Sequence, residues 1–232
     1  MEAHKNIART MGILYILGTI SGILSRVVTG PIQSAPDLLA NISVHGNQIT
    51  LGALFVLTMG LALAMVPVMA YPVLRKHDEI LALGYVVFRG ALEGVYYMAI
   101  VVSWLLLLPL SRVYQAGSPE ASNLRALANV LLEAKEITVF GMIVFCLGGL
   151  IFYSLLFQSR LVPQWLSVWG LVALLMSLAT GLLVMFGFFG PTSTISDLLQ
   201  FPIFLQEMVL AVWLIVKGFN LSAVVPDPVR RS

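Results

Sequence analysis

Six stretches of this 232-residue chain are long and apolar enough to cross a lipid bilayer, and no other feature constrains its fold as strongly. A helix needs about 20 mostly apolar residues to cross roughly 30 Å of hydrocarbon. The stretches run over about residues 10–25, 50–74, 80–108, 137–157, 163–189 and 201–217. In lipid each backbone amide must pair within its own segment, so every stretch reads as a helix. A strand barrel would alternate apolar and polar residues, and these runs do not. The expected fold is an all-α integral membrane bundle of six transmembrane helices. It forms a single domain over residues 1–224, followed by a loose tail at 225–232 with two prolines and two arginines.

Composition points the same way. The chain is 59% apolar and 10% charged, whereas a soluble domain is about 25% charged. A soluble enzyme and a disulfide-stapled secreted domain are thereby excluded. The net charge of +2 leaves no basic surface to neutralise phosphates, so nucleic acid is not a partner. The single Cys146 closes neither an intrachain disulfide nor a cysteine metal cage.

The breaks between stretches have recognisable chemistry. Gly30-Pro31 is expected to end the first span, and Arg75 to Glu79 form the sharpest polar joint. Gly117-Ser118-Pro119-Glu120 reads as a helix start, with Ser118 as cap and Pro119 at the first helical position. Gln158-Ser159-Arg160 before Pro163 is a short turn, and Gly190-Pro191-Thr192 closes the fifth span. Ser34-x-x-Asp37 resembles a capping box opening an amphipathic stretch to His45. A second long connection, Ser118 to Glu136, sets Leu124, Leu127, Ala128 and Leu131 at helical spacing. Pro67 is expected to kink the second span. The first span resembles a signal peptide, but Arg26 stands where cleavage would fall, so it reads as an uncleaved anchor.

Lys and Arg favour the cytoplasmic side of membrane proteins. With the N-terminus inside, Lys5, Arg9, Arg75, Lys76, Arg160, Lys217, Arg230 and Arg231 are cytoplasmic, against Arg26, Arg112, Arg125 and Lys135 outside. Both termini are thus expected in the cytoplasm. Trp165, Trp169 and Trp213 fall near the inner boundary and Trp104 near the outer one.

Ionisable residues within spans are costly, at about 2.5–3.5 kcal/mol at the helix centre on insertion scales, and mark function by default. Tyr85, Arg89, Glu93 and Tyr96 form a stripe on the third span, and Gln206 and Glu207 lie on the sixth. At about 1.5 Å per residue, Glu93 lies about 20 Å from the inner end of its span and Glu207 about 9 Å from the outer end of its own. In a core of about 30 Å these levels nearly coincide, so a guanidinium and two carboxylates are expected to meet. One reading is a structural ion pair that sets helix register. The other counts charge: two carboxylates and one guanidinium leave a net −1, which calls for a shared proton or a bound cation.

Small residues at Gly18 and Gly22, Gly90 and Gly94, and Ala173, Ser177 and Gly181 are spaced for close helix packing. At the outer end, His45, Glu133, Lys135, Glu136 and Asp197 read as a solvated rim rather than a metal site. His4 and His77 belong to the opposite end, and no mid-span histidine offers a haem ligand. No phosphate loop, nucleophile elbow or zinc-protease motif occurs, so neither metal nor cofactor is called for. The absence of these motifs leans against an enzyme and leaves the question open. Asn41-Ile42-Ser43 is formally a glycosylation sequon, relevant only in a secretory pathway.

The order of several pieces resembles a family. These are Ala8-Arg9-x-x-Gly12-Ile13-Leu14-Tyr15, Asn41-Ile42, Arg89-x-x-x-Glu93, the segment Arg160-Leu161-Val162-Pro163-x-Trp165-Leu166-x-x-Trp169-Gly170, and Glu207 through Trp213-Leu214-x-x-Lys217-Gly218-Phe219-Asn220. They are similar to a prokaryotic multi-pass membrane family catalogued as a domain of unknown function, number 4386. The charged approach to the fourth span, with Glu133, Lys135 and Glu136, departs from that pattern. The resemblance implies a multi-helix protein of a prokaryotic plasma membrane and supplies no activity. The functional expectation is a protein that binds or carries a small molecule or ion at the charged site, with lipids as its surroundings. The alternatives are a non-catalytic subunit of a larger membrane complex or a homo-oligomer, and, further off, a membrane-embedded lipid enzyme.

Overall fold

A computed structural model describes residues 2–33, 35–117, 119–133, 135–191 and 193–220; at residues 3, 133 and 135–138 it describes the backbone alone. The helices are α1 (Glu2–Gln33), α2 (Leu38–Leu74), α3 (Glu79–Gln115), α4 (Ala121–Glu133), α5 (Lys135–Ser159), α6 (Gln164–Met185) and α7 (Thr194–Val216). No strand occurs among the described residues. All but α4 contain a window long and apolar enough to cross a membrane.

Side chains start three of these helices by accepting otherwise unpaired backbone N–H groups. Asp37 accepts from Ala40 at 3.1 Å, Asp78 from Leu81 at 2.9 Å and Ser193 from Ser196 at 3.2 Å. Capping at α2 thus belongs to Asp37, while the expected caps Ser34 and Ser118 lie outside the described residues, as does the tail. Gly187 and Gly218, at φ 77° and 73°, follow the ends of α6 and α7, where a left-handed residue satisfies the last carbonyls.

The spans differ from the sequence reading at their ends. Helix α1 continues through Gly30-Pro31 to Gln33, because Ile32 is buried against Leu39, Ile42 and Ile49. Tertiary packing there outweighs the bond that Pro31 cannot make. The stretch before the second span is helical and joins it at His45, whose φ of −113° and ψ of 26° break the helix. Helical dihedrals run through Pro67, and the non-helical residue inside α2 is His45. Helix α6 stops at Met185 rather than near Phe189.

Each span packs against two others, α1 on α2, α2 on α3, α3 on α5, α5 on α6, α6 on α7 and α7 on α1, so the six close into a ring. Glycines set some of these contacts. A Cβ on Gly12 would stand 2.5 Å from the Ala211 carbonyl of α7, and one on Gly18 would stand 2.9 Å from Leu63 of α2. Gly94, expected to pack, faces open space. Outside the ring, large apolar side chains such as Val27, Ile80, Leu198 and Val216 are exposed on several helices, a surface suited to lipid.

The end carrying the α1 N-terminus and the α7 C-terminus is densely packed around Met11, Tyr15, Leu74, Tyr85, Phe152, Leu156 and Leu214. The first turn of α1 and the residue after α7 meet there: a Cβ on Gly218 would lie 3.6 Å from Lys5 Cγ. At the other end α4 lies on α3, and Leu124, Ala128, Leu131 and Leu132 join Ile32, Leu39 and Leu107 in a second cluster. Leu127, expected on that face, is 47% exposed.

Candidate functional site

The expensive residues meet inside the ring. Arg89 on α3 places Nη1 3.0 Å from Glu93 Oε2, one turn along the same helix. Its Nη2 lies 3.1 Å from Glu207 Oε1 on α7, a helix that faces α3 across the ring. The Arg89 and Glu93 side chains are 3% and 2% exposed, whereas Glu207 keeps 18%. Each terminal nitrogen of the guanidinium therefore meets a different carboxylate in a charge-assisted contact. The Arg89 guanidinium also lies 4.4 Å from the centre of the Phe145 ring of α5, a cation–π distance. A Cβ on Gly148, one turn beyond Phe145, would come within 2.5 Å of Arg89 Cγ, so α5 approaches closely only because that residue has no side chain.

The backbone carrying the stripe is not a plain α-helix. Val86–Leu92 winds as a π-helix, and the Glu93 N–H reaches back to the Phe88 carbonyl. Such segments are uncommon and recur at functional sites. Their wider turn shifts register, so the four stripe residues do not share one set of partners. Tyr85 turns to Tyr15 of α1, with hydroxyls 3.3 Å apart, and stacks on Phe152 at 4.5 Å. Tyr97, not Tyr96, donates to Glu93 Oε1, at 3.1 Å. Tyr96 sits over Gly141 of α5, where a Cβ would meet its ring at 2.5 Å.

Gln206 points away from its neighbour Glu207. It accepts from the Tyr153 hydroxyl at 2.5 Å and donates to the Leu166 carbonyl at 3.0 Å, linking α7 to α5 and α6. It is fully buried and belongs to the scaffold of the ring.

A cavity of about 480 Å³ occupies the half of the ring away from the chain termini and reaches Glu93. Tyr96, Tyr97, Met142 and Phe145 line it from α3 and α5; Gln200, Phe201 and Phe204 line it from α7. Arg26, Pro191 and Asp197 stand at its mouth, with Arg26 Nη1 3.8 Å from Asp197 Oδ1. Gln200 is held by the Ser177 hydroxyl of α6, which donates to its Oε1 at 2.7 Å. Among the described residues no cluster of His, Cys, Asp or Glu is arranged to hold a metal ion. His45 does not line the cavity, and the side chains of Glu133, Lys135 and Glu136 lie outside the described residues.

Residues 10–218 match the model of a family described as a domain of unknown function, DUF4386. The chain belongs to this family. The match takes in five of the six spans whole and the first from residue 10 onward. No curated protein and no solved structure matches it.

Several residues around the DUF4386 cluster escape the sequence reading. Tyr97 was detectable as the residue four beyond Glu93 on a helix. Phe145 and Gly148 carried no such signal, since an aromatic and a glycine in an apolar span are ordinary. Tyr15 lies within a quoted family motif, but its pairing with Tyr85 depends on how α1 crosses α3.

Proposed function

We propose that this chain is a multi-pass membrane protein that binds or carries a small molecule or ion at the Arg89–Glu93–Glu207 cluster. The observation that carries the reading is the cavity of about 480 Å³ with Glu93 at its inner end. Its volume suits a small organic ligand, and sites for such ligands are concave, mostly apolar and furnished with a few polar groups. A purely structural ion pair would be sealed on every side, as in a complex subunit. Here the packed termini end closes the ring below the cluster, while the cavity opens from the other end.

The roles divide by chemistry. Arg89 holds both carboxylates in place. Glu93, on the cavity wall, meets the ligand. Glu207 shares the net −1 of the cluster, so a proton or a cation is taken up with binding. By the excess of Lys and Arg near the termini end, that end faces the cytoplasm of a prokaryotic cell, and the cavity opens outward. A site closed to one side and open to the other fits one stage of alternating access.

Gln200→Cys, on a Cys146→Ala background, tests the reading. A membrane-impermeant thiol reagent added outside intact cells should label it, at a rate well above that of a lipid-facing control such as Leu175→Cys. Equal, negligible labelling of both would mean that water does not reach the site and would end the proposal.

A further inference from the structure

The walls of the cavity define the ligand class more narrowly. Two aromatic pairs line it from opposite sides of the ring. Tyr96 and Tyr97 of α3 have ring centres 5.0 Å apart, and Phe201 and Phe204 of α7 have theirs 6.2 Å apart. A buried carboxylate, Glu93, lies at the inner end. Charge is balanced at the mouth, where Arg26 faces Asp197. It is unbalanced within, where two carboxylates share one guanidinium.

Aromatic faces attract cations, most strongly where water is excluded, and they recognise alkylated ammonium groups that carry an apolar shell. An anion would meet a net −1 in a low-dielectric site. A bare inorganic cation would trade its hydration shell for the side-chain oxygens of Glu93, Gln200 and the two tyrosines, spread around a cavity far wider than an ion. A neutral apolar molecule would make no use of the second carboxylate, whose charge a proton alone would then have to balance. From the aromatic walls, the Glu93 carboxylate and the missing positive charge, we infer that the ligand is an organic monocation, an alkylated ammonium compound. The inference rests on the binding reading above and specifies its substrate.

Protection of Gln200→Cys from thiol labelling reads this directly. The probes are tetraethylammonium, choline, 3,3-dimethyl-1-butanol as the uncharged isostere of choline, and potassium. The expected result is slower labelling with either ammonium compound and no change with the alcohol or potassium. Glu93→Gln should abolish the protection. Phe204→Leu should weaken it roughly 2- to 30-fold, the range of one cation–π contact. Thermal unfolding in detergent should show an ammonium-induced stabilisation of the parent protein, lost in Glu93→Gln.

Potassium or the alcohol protecting as well as choline would overturn the assignment, as would brisk labelling that no ammonium compound slows. In those cases the cavity and the binding reading survive. Absence of labelling altogether removes both, so the two failures are distinguishable.

Discussion

At the scale of single residues, the cluster is asymmetric. Arg89 is shared by two carboxylates, so its loss leaves the buried Glu93 and the partly exposed Glu207 without their common partner. Removing one partner of a buried pair costs about 3–5 kcal/mol. Arg89→Ala should therefore fail to accumulate as folded protein, measured as the monodisperse fraction after detergent extraction. Glu207→Gln removes only the partly exposed member, and Arg89 keeps Glu93. It should extract and unfold at nearly the parent temperature while losing the coupling of binding to charge. Collapse of Glu207→Gln instead would make the cluster a structural lock. Gly148→Ala pushes a methyl against Arg89 Cγ at 2.5 Å. Overpacking of this kind costs about 1–3 kcal/mol, read as a lowered unfolding midpoint.

At the scale of elements, α4 is tied to the bundle by a charged knot outside the spans. Asp37 accepts from the Tyr114 hydroxyl of α3 at 2.8 Å and pairs with Arg125 of α4 at 2.6 Å. Arg125 also donates to the Tyr114 hydroxyl and lies 5.1 Å from its ring centre. The Ala40 N–H, then the Tyr114 hydroxyl and Arg125, hold the Asp37 carboxyl below its ordinary range. A carboxyl depressed in the folded state stabilises it above the unfolded value of about 3.9, and that contribution disappears as pH falls through the lower folded value. Hydrogen exchange should therefore show α4 amides losing protection in strong acid while α2 and α3 keep theirs. Asp37→Asn should bring the same loosening at neutral pH. Uniform protection of α4 across that range would show that its apolar face alone holds it.

At the scale of the whole molecule, the ring is packed where α1 begins and α7 ends and holds the cavity in its other half, and the orientation proposed from the Lys and Arg count sets the packed end in the cytoplasm. A cysteine at position 76, on the packed end, should react with impermeant reagents only after the cells are broken. Reaction in intact cells would invert the orientation and turn the cavity inward. The six spans, the polar joint from Arg75 to Glu79, the turn before Pro163 and the residues costly to bury were legible in the sequence, because lipid enforces length, apolarity and internal hydrogen bonding on each segment separately, whereas the end of the first span was not, since packing of Ile32 carries α1 through Gly30-Pro31. The common level of Arg89, Glu93 and Glu207 followed from counting residues at a fixed helical rise. Tertiary structure alone decided the rest. The π-turn at Val86–Leu92, the turn of Tyr85 toward Tyr15, the approach of Phe145 to Arg89 and the cavity beside Glu93 depend on how helices far apart in sequence pack around one another. A local periodicity carries no record of those crossings, since any apolar face satisfies lipid equally well.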